Sequence, residues 1–193
     1  MSSPAFRFNG TNAAAQRVAA RQAARMVRGV GTETRDAIRA LIVRAIREGI
    51  PPYDAARMIA SLIGLSTPQA QAVASYRASL IDSGLALGRV DTLSERYAQK
   101  KLAERAENIA RFEIMDALNT GVVESARQAR KEGLLGKGAT KEAIITPDER
   151  LCPTCAAVDG QVQPLDKPFQ TDRGPRMNPP FHGRCRCGLA INP

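Results

Sequence analysis

All four cysteines and the single histidine of this 193-residue chain fall between positions 152 and 187. They read Cys152-Pro-Thr-Cys155, then 26 residues, then His182-Gly-Arg-Cys185-Arg-Cys187. A CxxC turn brings two sulfurs to the same side, and His182 with Cys185 repeats that spacing. Together they make a Cys3His tetrahedron. Cys187 is a fifth candidate, because on a strand Cys185 and Cys187 share a face and either can take the fourth position. A closed four-ligand set of thiolates and imidazole suits structural zinc rather than catalytic metal. Disulfides, free buried thiols and a thioredoxin-like redox pair are the alternatives. Zinc is favoured because a CxxC and an HxxC pair share one short segment.

That staple matters because of the segment that carries it. From residue 139 onward the chain is rich in Pro and Gly and too poor in apolar residues to build an adequate core of its own. A metal tying residues 147–160 to residues 180–191 supplies the missing constraint. The rest of the chain reads as helix. Apolar positions keep helical spacing in five stretches: 12–28, 32–48, 53–63, 67–87 and 92–132. Thr32, Thr67 and Thr92 are the expected caps, Gly49, the Pro51-Pro52 pair and Gly64 the expected stops, and Gly121 a possible kink. Short strands are expected at 143–146, 160–163 and 186–191. The fold class is therefore mainly α, with a small α+β zinc-stapled module at 139–193. A basic helical region, 1–90, precedes a second unit, 91–193, built on the long helix. Four cysteines are too few for a disulfide scaffold. The longest uncharged run, Met58 to Tyr76, is broken by polar residues, so no membrane span is expected. The N-terminus lacks the apolar core of a secretory signal.

Charge is uneven. Residues 1–90 hold twelve arginines, no lysine and five acids, a net of +7, while residues 91–193 carry only +2. Arg17, Arg21, Arg25 and Arg28 line one face of the first helix, a stripe suited to phosphates or an acidic protein surface, or simply a solvated face. Residues 53–80 have the spacing of a helix-turn-helix, with Ala60 four before Gly64 and Gln69 and Gln71 at the start of the second helix. The second helix has no basic residue before Arg77, which makes an ordinary helical hairpin the better reading. A metal-dependent nuclease would have to use Asp148, Glu149 or Asp159, since the only histidine is a ligand candidate. These acids read more simply as loop residues, and no enzyme is expected.

A longer pattern joins these pieces. It runs Arg105-Ala-Glu-Asn-Ile-Ala-Arg111-Phe-Glu113, Asn119, Gly121, Asp148-Glu-Arg150-Leu-Cys152-Pro-Thr-Cys155, Asp159-Gly160 and Pro179-Pro-Phe-His182-Gly-Arg-Cys185-Arg-Cys187. This resembles the phage Mu F-like head-morphogenesis family, minor capsid proteins of tailed phages and prophages. The resemblance covers residues 95–191, and the helical stretch from Gly49 to Leu80 is similar to the region upstream of that domain. Phe112 stands where the family usually has Thr, and no Trp is present near the start of the tail. The resemblance implies a non-enzymatic virion protein inside the head near the portal, present in the host cytoplasm during assembly. Its implied partners are the portal, other head proteins and non-specifically bound packaged DNA, with no membrane and no small-molecule substrate. It implies metal binding by Cys152, Cys155, His182 and Cys185 or Cys187, and a structural Arg111/Glu113 pair that anchors the tail.

Overall fold

The computed structural model describes Arg17, Arg21, Val27 and residues 30–193. The first expected helix lies mostly outside the described residues. Arg17 and Arg21 are helical and exposed, while Arg25 and Arg28 are not among the described residues. Four helices follow: α1 Thr32–Glu48, α2 Pro52–Ala60, α3 Thr67–Asp82 and α4 Leu87–Lys131. The tail contains β1 Thr140–Ile144, a short α5 Pro153–Ala156, β2 Val162–Pro164 and β3 Gly188–Asn192. No helix among the described residues is long and apolar enough to cross a membrane.

The helices were expected in the right places, and their ends were expected less well. Gly31 and Ser66, not Thr32 and Thr67, are the capping residues, and each threonine is the first helical residue instead. Ser66 forms a capping box with Gln69, which satisfies two backbone groups at once. α2 stops at Ala60, short of the expected Gly64. α3 ends at Asp82 because Gly84 turns the backbone left-handed at φ 78°. α4 therefore begins at Leu87, and Thr92 sits inside it with its hydroxyl donating to the Gly88 carbonyl. Helix continues unbroken through the buried Gly121.

α4 is the spine. α1, α2 and α3 each pack against it. Ile38, Ile42 and Ala45 of α1 and Ala55, Ala56 and Ile59 of α2 close over Ala106, Ile109, Ala110 and Ile114 of α4. α3 has no buried residue and lies along the first turns of α4. There Tyr76 meets Tyr97 at a 4.7 Å ring separation, and Arg77 pairs with Asp91. α2 and α3 thus use α4 as their common partner. Gln69, a candidate base-reading residue, spends its side chain on Ser66 and on the Lys101 carbonyl.

The other end of α4 carries the tail. The sheet order is β2-β1-β3, with both pairings antiparallel. β1 turns Lys141 and Ala143 inward. Ala126 and Ala129 of α4 pack with Leu135, Ala139 and Leu165. A separate cluster joins Ala143, Val158, Phe169 and Phe181 to Cys155, Cys185 and Cys187. Polar contacts close the seam. Asn119 donates to the Pro179 carbonyl at 2.9 Å, Asn178 to Thr120 at 3.2 Å, and Arg127 and Arg130 both reach Asp166.

Lys141 is wholly enclosed, at 0% exposure. Its Nζ donates to the Met177 carbonyl at 2.6 Å and sits 5.3 Å from the centre of the Phe169 ring. Burial, helped by the charge of Arg127, pulls its pKa down to about 8. In the unfolded chain a lysine titrates near ~10.4, so between these values the unfolded state holds more protons. Stability should therefore rise with pH from about 8 to about 10, by up to ~1.4 kcal/mol per pH unit. Urea titrations across that range should show the rise in the native chain and a flatter profile in Lys141→Met. Separately, Ile59→Ala should cost about 2–5 kcal/mol by emptying the centre of the helical core, read as a lower urea midpoint.

Candidate metal centre

The five expected ligands meet at one place. Cys152 caps the short helix α5, and its sulfur accepts from the Cys155 backbone N–H at 3.5 Å. Pro153 suits the first turn because it lacks the N–H that would otherwise go unused there. This turn aims both sulfurs at His182, whose Nε2 is 3.1 Å from Cys152 Sγ and 3.0 Å from Cys155 Sγ. The returning segment makes a second turn, in which the Cys185 N–H donates to the His182 carbonyl at 3.2 Å. Cys155 Sγ is then 3.7 Å from Cys185 Sγ. Two overlapping triads result, Cys152/Cys155/His182 and Cys155/Cys185/Cys187, each with ligand atoms within 4.8 Å of one another.

Several observations fit a metal ion. Zn–S bonds of ~2.3 Å give a tetrahedral S···S edge of about 3.8 Å, against 3.7 Å for Cys155 and Cys185. A cavity of about 20 Å³ touches all five side chains, with Thr146, Leu151 and three arginines completing its wall, and roughly 10–15 Å³ already accommodates one water. His182 Nδ1 is 2.5 Å from the Gly183 carbonyl oxygen. A carbonyl only accepts, so Nδ1 carries the proton and Nε2 turns its lone pair to the sulfurs. All four cysteines are free thiols.

The cluster is electrostatically divided. Hydrogen bonding from Cys187 pulls the Cys185 thiol down to about 5, while burial pushes Cys155 up to about 12. Cys187 also titrates above the ordinary thiol range, chiefly because its proton is held by Cys185. One thiolate shared among buried thiols is what this packing supports, and a cation entering it displaces the remaining protons. Cys185 and Cys187 precede β3 rather than lying on it, so the expected strand alternation is not what brings them together. Both are buried, and both belong to the triad that shares Cys155.

Asp148 is committed elsewhere. It receives both terminal nitrogens of Arg186, one at 2.6 Å, and Arg150 at 3.5 Å. The Arg186 fork holds its carboxyl well below the usual carboxylate range. Arg111 and Glu113, the expected structural pair, point to different surroundings. Two residues apart on a helix, they face different ways. Arg111 turns to Glu107 at 3.3 Å, and Glu113 is buried at 1% exposure. The anchors are Asn119, set in the sequence pattern without a role, and Asn178, Arg127 and Arg130, which carried no signal. Of the N-terminal arginine stripe, Arg17 and Arg21 are exposed one helical turn apart.

The family model for phage Mu protein F-like proteins matches residues 36–190. This chain belongs to that family. The match spans the helical core, the whole of α4 and the cysteine cluster, and it makes this a phage head-morphogenesis type of protein. No curated protein and no solved structure matches the chain.

Cys155 stands in both triads, so Cys155→Ser should abolish metal binding. Cys185→Ser and Cys187→Ser singly should each leave it largely intact, with loss only in the double variant. Native mass spectrometry of chains purified without chelator reads the outcome directly.

Proposed function

We propose that this chain is a minor head protein acting inside the phage head near the portal, where it assists head assembly and the packaging or delivery of DNA. Membership of the Mu F-like family carries this reading. The helical half contributes a basic surface, and the tail contributes a rigid module docked on α4. Zinc is the ion we assign to the cysteine cluster, held by Cys152, Cys155, His182 and either Cys185 or Cys187. Its role there is structural. It cross-links the α5 turn to the segment before β3, and so holds together a core that contains few large apolar residues.

In this reading the chain carries out no reaction of its own. Asp148 serves as an ion-pair partner, and Asp159 is an exposed turn residue. The working partners are the portal protein and other head proteins. DNA contact by Arg17, Arg21, Arg25 and Arg28 is a second, non-specific component. The protein would pass through the host cytoplasm on its way into the virion.

Co-expression with the portal protein of the same phage should yield a co-sedimenting complex. Free sedimentation of the two proteins, with the chain absent from purified heads, would end the head-protein reading. Replacing the four N-terminal arginines by Ala should weaken polyanion or partner binding without changing helix content by circular dichroism.

A further inference from the structure

Next to the cysteine cluster lies a cleft of about 510 Å³ lined by Glu107, Arg111, Arg150, His182, Arg184 and Arg186. It adjoins a second cleft of about 370 Å³, with which it shares Glu107, Arg111 and Arg186. The second is apolar at its far end, where Tyr53 and Met115 form the wall. We propose that this double cleft binds single-stranded nucleic acid, with a phosphodiester among the arginines and a base against Tyr53.

Charge is the first argument. Four guanidinium groups converge on a space with one lining carboxylate, Glu107, which Arg111 engages. Asp148 serves Arg186 and touches Arg150. Arg184 has no carboxylate partner among the described residues. Its Nε donates to the neutral Asn108 side chain at 2.9 Å, and Glu104 feels its charge without forming an ion pair with it. Planar guanidinium forks match phosphate oxygens in geometry as well as charge.

Backbone conformation is the second. Arg184 is the one non-glycine residue with positive φ among the described residues, at 63°. An arginine kept where glycine fits more easily is an outlier of the kind found at ligand clamps. The aromatic wall is the third. Tyr53 is 67% exposed, unusually open for a large ring, and Arg57 lies 5.7 Å from its centre. An exposed ring beside a basic groove is the stacking platform that single strands use. A duplex keeps its bases stacked inside and offers Tyr53 nothing. The proposal concerns a different surface from the N-terminal arginine stripe and does not rest on the head-assembly reading.

The test is fluorescence anisotropy on the full chain, with labelled oligothymidylate of about 16 nucleotides and a duplex of equal length, at about 0.05 and 0.2 M salt. Arg150→Gln combined with Arg184→Gly removes two charges while giving position 184 the residue its φ favours. It should weaken single-strand binding roughly tenfold and make the salt slope shallower by about 1.4, at ~0.7 per phosphate contact. Tyr53→Ala should weaken oligothymidylate roughly tenfold and leave the duplex unchanged. Arg150→Gln alone serves if the double variant loses its circular dichroism signal. Unchanged binding in the arginine variants overturns the proposal, as does a loss confined to the Arg17/Arg21/Arg25/Arg28 replacement. No effect of Tyr53→Ala overturns the base contact, and displacement by polyglutamate at equal charge overturns the assignment to nucleic acid.

Discussion

Three of the four cysteine sulfurs in this protein are core atoms. Cys155, Cys185 and Cys187 pack in the same buried cluster as Phe169, Phe181 and Val158, and Cys152 closes its edge. The aromatic core of the tail is therefore not separate from its ligand set, while Ala139 and Leu165 pack against α4 instead. The Phe169–Phe181 contact, edge to face at 5.8 Å, lies in the same cluster as three of the thiols. Whatever fixes the sulfurs fixes the rings, and with them the position of β3 against β1. A small module with this few large side chains depends on such a cross-link in a way that the helical half does not.

The second constraint is α4. Its middle turns belong to the core built with α1 and α2, and its last turns carry the tail. One uninterrupted helix thus sets the distance between the two cores. The polar seam adds direction to this docking. Asn119 and Arg127 reach backbone carbonyls of the tail, and Arg127 and Arg130 converge on Asp166. Buried side-chain to backbone bonds of this sort specify one arrangement, because breaking them leaves a polar group without water. Lys141 follows the same logic from the tail side. It faces inward on β1, and the Met177 carbonyl and the Phe169 ring receive its ammonium.

The cysteine–histidine cluster was readable in the sequence because ligand spacing is local. A CxxC turn and an HxxC turn each fix a pair of donors within one turn of chain, so only the meeting of the two pairs needed the fold. Helix positions were readable for a similar reason, since their apolar spacing repeats along the chain. Their ends were less so. Gly31, Ser66 and Gly84 decide where helices start and stop, and each competes with an equally plausible neighbour. A sequence match does not say which way a helix faces: Arg111 turns to Glu107, four residues back, while Glu113, two residues on, is buried.

The sequence by itself determined the fold class, the five ligand candidates, the basic character of the N-terminal half and the family. The first three follow from composition, periodicity and short-range spacing, which need no knowledge of distant contacts; the family rests on the resemblance of the motif pattern, matched over residues 36–190. Only the tertiary structure decided that Asp148 belongs to Arg186, that Asn119 holds Pro179, and that Arg111, Arg150, Arg184 and Arg186 share one cleft with Tyr53 at its far end. Asp148 and Arg186 are 38 positions apart, Asn119 and Pro179 60. Such pairs form because the docking of the tail on α4 and the folding of the tail on itself bring distant polar groups within reach, and no local pattern records that choice.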